Sequence, residues 1–210
     1  LLVLVPFLSF AKFQDCVVTM NDGSTKRGFI EIPENPDDSN IKFRTEIKGS
    51  TEKISIDVIK EFEVFDKENK SIKFVAIYAA HPKALKPEQY KIDAKKIWMN
   101  VIKEGKISMY CISISPSSII SSSGLSVPGS VDGGSTSYFI KKEKENFATL
   151  VAQKLGGFSP CVGCFNQMKK TLNKIFENDC PQLSEMITKD IIKSKGYEVI
   201  LDIYEQNCGK

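Results

Sequence analysis

The sequence predicts an α+β protein in which an antiparallel β-meander, closing as a small barrel or sandwich, precedes a short helical tail. Three observations lead there. Val, Ile, Phe and Thr recur with period two between clusters of Gly, Asn, Asp and Pro from Asp15 to Lys106. Beyond Pro160 the apolar spacing changes to three and four residues. A chain of 210 residues with 41% apolar and 26% charged composition can bury a core as one domain or two small ones.

The first eleven residues, LLVLVPFLSFA, form an apolar run with small residues at Ser9 and Ala11. This is the pattern of the end of a secretory signal peptide, so residues 1–11 are expected to be its remnant. The run is shorter than the roughly 20 apolar residues that span a bilayer. The β-rich region is expected over residues 12–152 and the cystine-bearing tail over 153–210. Cys16 follows Phe13-Gln14-Asp15, which does not fit lipid attachment.

Within the β region, Cys16 to Met20 and Lys26 to Ile32 flank Asn21-Asp22-Gly23-Ser24 and read as a hairpin, with Gly supplying positive φ in the turn. Strands are expected at Ile41 to Glu46, Glu52 to Ile56, Glu61 to Asp66 and Ser71 to Tyr78. Pro82 and Pro87 make Ala79 to Tyr90 a loop. Strands resume at Lys96 to Ile102 and Lys106 to Ser113, around Glu104-Gly105. The Ser- and Gly-rich stretch from Ser115 to Ser137 has little to bury and reads as a loop or insertion. Ser137 to Lys142 and Phe147 to Ala152 complete the set.

In the tail, Ser159 and Pro160 suit a helix start, and Cys164, Phe165, Met168, Leu172, Ile175 and Phe176 fall on one face. Asp179-Cys180-Pro181-Gln182 has capping-box spacing with Pro in the first turn and should open a second helix. Gly196 separates a third, with Val199, Ile200, Ile203 and Tyr204 on its apolar face.

Segments YFIKKEKENFATLV, FENDCPQLSEMI and VILDIYEQNC, with VTMNDGSTKRGFIEI and IKFRTEI in the front, resemble a set of uncharacterised exported proteins of Gram-negative bacteria of the Bacteroidetes type. Those proteins pair a β-rich front with a tail bearing Phe-x-x-Asp-Cys-Pro and a final Tyr-x-x-x-Cys, here Phe176 to Pro181 and Tyr204 to Cys208. The resemblance implies an exported, two-part architecture and no particular activity. The Ser-rich stretch and Cys161-Val162-Gly163-Cys164 depart from it. At fold level the front is also similar to SH3-like and Sm-like barrels, which does not give function.

Six cysteines, Cys16, Cys111, Cys161, Cys164, Cys180 and Cys208, suggest disulfides in an oxidising compartment. Cys180 and Cys208 lie at the start of one expected helix and the end of another, which an antiparallel arrangement would bring together. Cys161 and Cys164 are close enough in sequence to be a structural cystine. They are also a candidate redox pair, because a thiol at a helix start feels the dipole that favours thiolate. Metal binding by this pair lacks a nearby His or a second CxxC. Cys16 and Cys111 remain by subtraction, either paired or as buried thiols.

The charge balance is 29 basic against 26 acidic residues, and neither part is a basic field that would gather phosphates, so no nucleic-acid partner is expected. His81 is the only histidine and has no nucleophile elbow beside it, which disfavours a Ser-His-Asp hydrolase. Glu61, Glu63, Asp37 and Asp38 read as solvated strand and turn residues. Trp98 reads as core, with a ligand platform as the alternative. No phosphate-loop, dinucleotide, zincin or EF-hand motif occurs, and no catalytic residue, metal ligand or cofactor is nominated. The expectation is a non-enzymatic envelope protein, periplasmic, attached to the outer membrane or released, that binds or scaffolds an envelope protein, glycan or lipid. The alternative is a thiol-disulfide protein using Cys161 and Cys164.

Overall fold

The computed structural model describes residues 13–66, 68, 70–83, 86–114, 134–155 and 164–209. The expected signal-peptide remnant and most of the Ser-rich stretch lie outside them. Ten strands and four helices are present among the described residues. The strands are β1 (Phe13–Met20), β2 (Thr25–Glu31), β3 (Asn40–Arg44), β4 (Glu52–Ser55), β5 (Ile59–Phe65), β6 (Ser71–Lys83), β7 (Lys86–Lys103), β8 (Ile107–Ile114), β9 (Ser135–Lys142) and β10 (Phe147–Leu155). The helices are α1 (Cys164–Phe176), α2 (Leu183–Met186), α3 (Lys189–Lys195) and α4 (Val199–Asn207).

All ten strands join one sheet, in the order β10-β9-β8-β7-β6-β5-β1-β2-β3-β4, and a further pairing of β10 with β6 closes β6 to β10 into a five-stranded barrel. That closing pair is parallel, Phe147 to Thr149 facing Tyr78 to Ala80, so the sheet is mixed where an all-antiparallel meander was expected. The front strands form a run, not the closed barrel.

The β1–β2 hairpin follows from its turn. Gly23 takes φ +85°, and the Asp22 carboxylate accepts from the Ser24 N–H at 2.9 Å and the Ser24 hydroxyl at 2.6 Å. A short Asp that bonds the backbone two residues on is the standard device for such a turn.

Three apolar clusters divide the molecule. The front core gathers Cys16, Val18, Ile30, Phe43, Phe62 and Trp98 among others. The barrel interior holds Ile77, Ala79, Met99, Tyr110, Phe139 and Ala148. The third cluster packs Met109, Ile140 and Val151 of the barrel's outer face against Met168, Leu172, Phe176, Leu183 and Ile200 of the tail. Side chains alternate along a strand, so β6 and β7 serve two cores at once. Ile77 and Met99 point into the barrel, while Phe74 and Trp98 join the front core. A strand covered on both faces reads as a near-continuous apolar run, as Ile72 to Ala80 does.

The loop expected over Ala79 to Tyr90 is instead a β-ribbon, since β6 runs to Lys83 and β7 begins at Lys86. Pro82 faces Tyr90 in it. The pairing of β6 with β10 ends at Ala80, so Pro82 has no N–H to supply to a ladder on that side. Likewise β9 begins at Ser135, inside the stretch assigned to loop.

The tail has one helix more than expected. The second helix stops at Ile187, which is extended, and Thr188 caps α3 by accepting from the Ile191 N–H at 3.2 Å. The capping box expected at Asp179 is not formed. Gln182 holds the N-cap of α2 without a side-chain bond, and Asp179 instead meets the Lys142 ammonium at 2.8 Å. In α4 Leu201 is buried beside Val199, Ile200 and Tyr204, and Ile203 is only partly so.

Candidate functional site

The fold distributes the candidate residues rather than gathering them. Cys180 and Cys208 form a disulfide, with Cα atoms 5.7 Å apart, that ties the start of α2 to the end of α4. Cys164, the first residue of α1, is also disulfide-bonded, and Cys161 lies outside the described residues. Cys16 and Cys111, expected as a pair or as buried thiols, are free and buried. Cys16 belongs to the front core, while Cys111 sits on β8 opposite Asn100 and Tyr138. Burial, the largest cause, pushes each thiol up to about 12, so both are neutral and poor nucleophiles at neutral pH.

Trp98 is core, 4% exposed. Its ring meets Phe62 edge-on at 5.0 Å, its indole N–H donates to the Asp38 carbonyl at 2.9 Å, and its backbone N–H donates to the Pro36 carbonyl at 2.7 Å. The connection between β2 and β3 is thereby fastened to the side of β7, and Trp98 has no face left for a ligand. Glu61 lies 3.8 Å from the Lys73 ammonium, and Glu63 accepts from the Ser71 hydroxyl at 2.7 Å. Asp38 accepts from the Asn35 N–H at 3.1 Å in its turn.

A cleft of about 440 Å³ opens where the ends of β6 and β7 meet the tail, lined by Ser71, Lys73, Asn100, Lys103, Tyr138 and Glu198. Its cations are already engaged. Lys73 bonds Glu104 at 3.0 Å, which raises its pKa, and Lys103 is raised by Asp202 and Glu205, each at 2.9 Å. Burial first, then the neighbouring Cys111, pushes Tyr138 up to about 12, so it enters the cleft as a neutral phenol.

His81 is on β6, not in a loop. Its Nε2 lies 3.1 Å from an Asp93 carboxylate oxygen, and its ring stands edge-on to Phe139 at 6.2 Å between centroids. Phe139 is a barrel-core residue, so this places His81 on the ribbon face that continues the barrel interior outward. Lys91 is its cross-strand partner, and Lys83 faces Lys86 at the ribbon's end. All three lysines are exposed. Lys83 donates to the Gln89 side-chain oxygen at 3.1 Å.

The ribbon carries a local excess of lysine. Residues 83–96 carry Lys83, Lys86, Lys91, Lys95 and Lys96 against Glu88 and Asp93. The balanced charge of the whole chain hides this local excess, and Pro82 and Pro87 give the segment the local signature of a loop. A window count of Lys over 83–96 was the signal that would have found it.

Among the described residues no three His, Cys, Asp or Glu side chains are grouped to hold a metal ion, and no helix is long and apolar enough to cross a membrane. No family model matches the chain, and no curated protein or solved structure matches it.

Proposed function

We propose that the chain is an exported, non-enzymatic binding module of the cell envelope that presents its β6–β7 ribbon to a partner. The observation that carries this reading is the ribbon itself. It continues past the pairing of β6 with β10, exposes both faces around Lys91, Ile92, Ala94 and Lys95, and is anchored at its base by two apolar cores. A recognition element held by a rigid scaffold is how β proteins commonly bind. The run at residues 1–11 and the Cys180–Cys208 cystine support an oxidising, extracytoplasmic location.

Two measurements test the reading. The protein's natural N-terminal region through Asn40, fused to a reporter enzyme that folds only outside the cytoplasm, is expected to give activity; an inactive, retained fusion overturns export. A photo-crosslinking residue at Gln89 is expected to give a discrete adduct in cells, with none from Asp57. Turnover of a small-molecule substrate that is lost in His81→Ala overturns the non-enzymatic assignment.

The thiol-disulfide alternative keeps one specific observation, the disulfide-bonded Cys164 at the first residue of a 13-residue helix. It requires that cystine to be reduced at a mild potential and Cys161 to be alkylated near neutral pH afterwards. A cystine that resists mild reductant in the native protein removes it.

A further inference from the structure

Asn100 of β7 stands opposite Cys111 of β8, and Cys111 stands opposite Tyr138 of β9. These pairs lie clear of the register shift between β7 and β8, which falls between Val101 and Lys103. Cross-strand partners present their side chains to one face, so the three form a row. The residues next to them, Met99, Tyr110 and Phe139, belong to the barrel interior. Side chains alternate along a strand, which puts the row on the barrel's outer face. The tail covers part of that face. The Tyr197 ring meets that of Tyr138 at 4.5 Å between centroids, and Asp202 and Glu205 of α4 hold Lys103. Cys111, in the middle of the row, is buried, while Asn100 and Tyr138 at its ends stay half-buried.

The cleft of about 440 Å³ lies where that cover stops. Ile72 on one side packs against the front core, and Ile102 on the other packs against the cluster shared by barrel and tail. Phe74, the β6 partner of Asn100, also turns to the front core. Two apolar clusters thus meet across the wall of β6 and β7 without filling the space between them. Junctions of this kind are where small-ligand sites concentrate, at volumes of roughly 300–1,000 Å³.

The polar groups of the cleft select the ligand. Glu61 and Glu104 hold Lys73, and Asp202 and Glu205 hold Lys103, so neither ammonium is left for a phosphate or a carboxylate. The surplus of carboxylates repels an anion. Three polar side chains remain, the Asn100 carboxamide, the Tyr138 phenol and the Glu198 carboxylate, and none has a side-chain hydrogen bond or ion pair among the described residues. Burial is the main cause that raises Cys111 and Tyr138, and the Glu198 carboxylate adds to both, so it faces the row. Glu198 is exposed, and a carboxylate in water holds an ammonium weakly. A carboxamide that donates and accepts, a neutral phenol that does the same and a carboxylate that accepts twice match a set of hydroxyl groups.

We propose that this cleft is a binding site for a neutral saccharide. Glu198 accepts hydrogen bonds from sugar hydroxyls, Asn100 and Tyr138 complete the polar side, and the C–H faces of the ring rest on Ile72 and Ile102. The site stands apart from the ribbon. His81 lies roughly 20 Å along β6 from Phe74, so saccharide binding and the crosslink from Gln89 succeed or fail separately.

The test is nuclear magnetic resonance titration of the isotope-labelled full chain with cellobiose, maltose and diacetylchitobiose, and with glucosamine and glucuronate as cationic and anionic counterparts. At least one neutral disaccharide is expected to shift the Asn100 carboxamide resonances, assigned by their loss in Asn100→Ser, and to saturate. Glu198→Gln is expected to bind that sugar about tenfold more weakly and Tyr138→Phe about threefold. Glu68→Gln, in the turn between β5 and β6, should bind as the parent does. Glu198 is exposed, so Glu198→Gln is expected to keep the parent's melting temperature, which separates lost binding from lost folding. No shift at Asn100 with any neutral disaccharide, parent-like binding in both Glu198→Gln and Tyr138→Phe, or tighter binding of either charged sugar than of the neutral ones overturns the proposal.

Discussion

Trp98 holds three connections in one residue: the Phe62 contact, an indole bond to Asp38 and a backbone bond to Pro36. Trp98→Phe keeps an aromatic ring but strands the Asp38 carbonyl, and is expected to cost about 1–3 kcal/mol in urea unfolding followed by circular dichroism. The two free thiols make a second prediction at this scale. Both are pushed from an ordinary value near 9 to about 12, chiefly by burial. The folded state therefore holds those protons where the unfolded chain releases them. Their contribution to stability is intact below about pH 9 and is lost as pH rises toward 12. Native protein is expected to resist alkylation at Cys16 and Cys111 at pH 8 and to react at both in denaturant. Rapid native labelling of either would show that its core opens.

At the scale of elements, close approach decides what the front sheet tolerates. Gly28 lies on β2 opposite Cys16, and a Cβ there would collide with the Arg44 carbonyl oxygen and the Phe43 ring. The first of these is backbone in the paired strand β3 and cannot swing aside. Gly28→Ala is expected to lower stability by about 1–3 kcal/mol, read as a fall in the urea midpoint at unchanged slope. Much of this level was legible in the sequence. The hairpin at Asn21 to Ser24, the strands flanking Glu104-Gly105 and the apolar face of α1 all follow from local turn chemistry or periodicity. The ribbon was not, because two prolines are a strong local loop signal. Pro82 is tolerated where β6 has already left β10, a condition set by a partner some 65 residues away in sequence.

For the whole molecule, the wall formed by β6 and β7 couples the front core to the barrel, and the tail helices cover the barrel's outer face. The tail is held there by apolar contacts, and the Cys180–Cys208 cystine ties its own helices to one another. Reducing Cys180–Cys208, which spans 28 residues, is expected to cost about 3.5 kcal/mol by loop-closure entropy. Differential scanning calorimetry of the reduced protein should show the transition lowered. Because Trp98 sits in the front core and not under the tail, its fluorescence is expected to shift later than the far-ultraviolet helix signal if the tail releases first. Coincident transitions would show that the shared wall makes the molecule unfold as one unit.

By itself the sequence determined the two-part order of strands then helices, most turns, and the apolar stripe of the tail, since each depends on residues within a few positions of one another. Only the tertiary structure decided three things: that β10 returns parallel to β6 and closes a barrel, that Cys16 on β1 and Cys111 on β8 stay free and buried, and that Lys83 and Lys86 face each other across a β-ribbon. Each of these is a relation between segments brought together by burying β6 and β7 on both faces. Long-range burial leaves a mark on composition but none on local spacing.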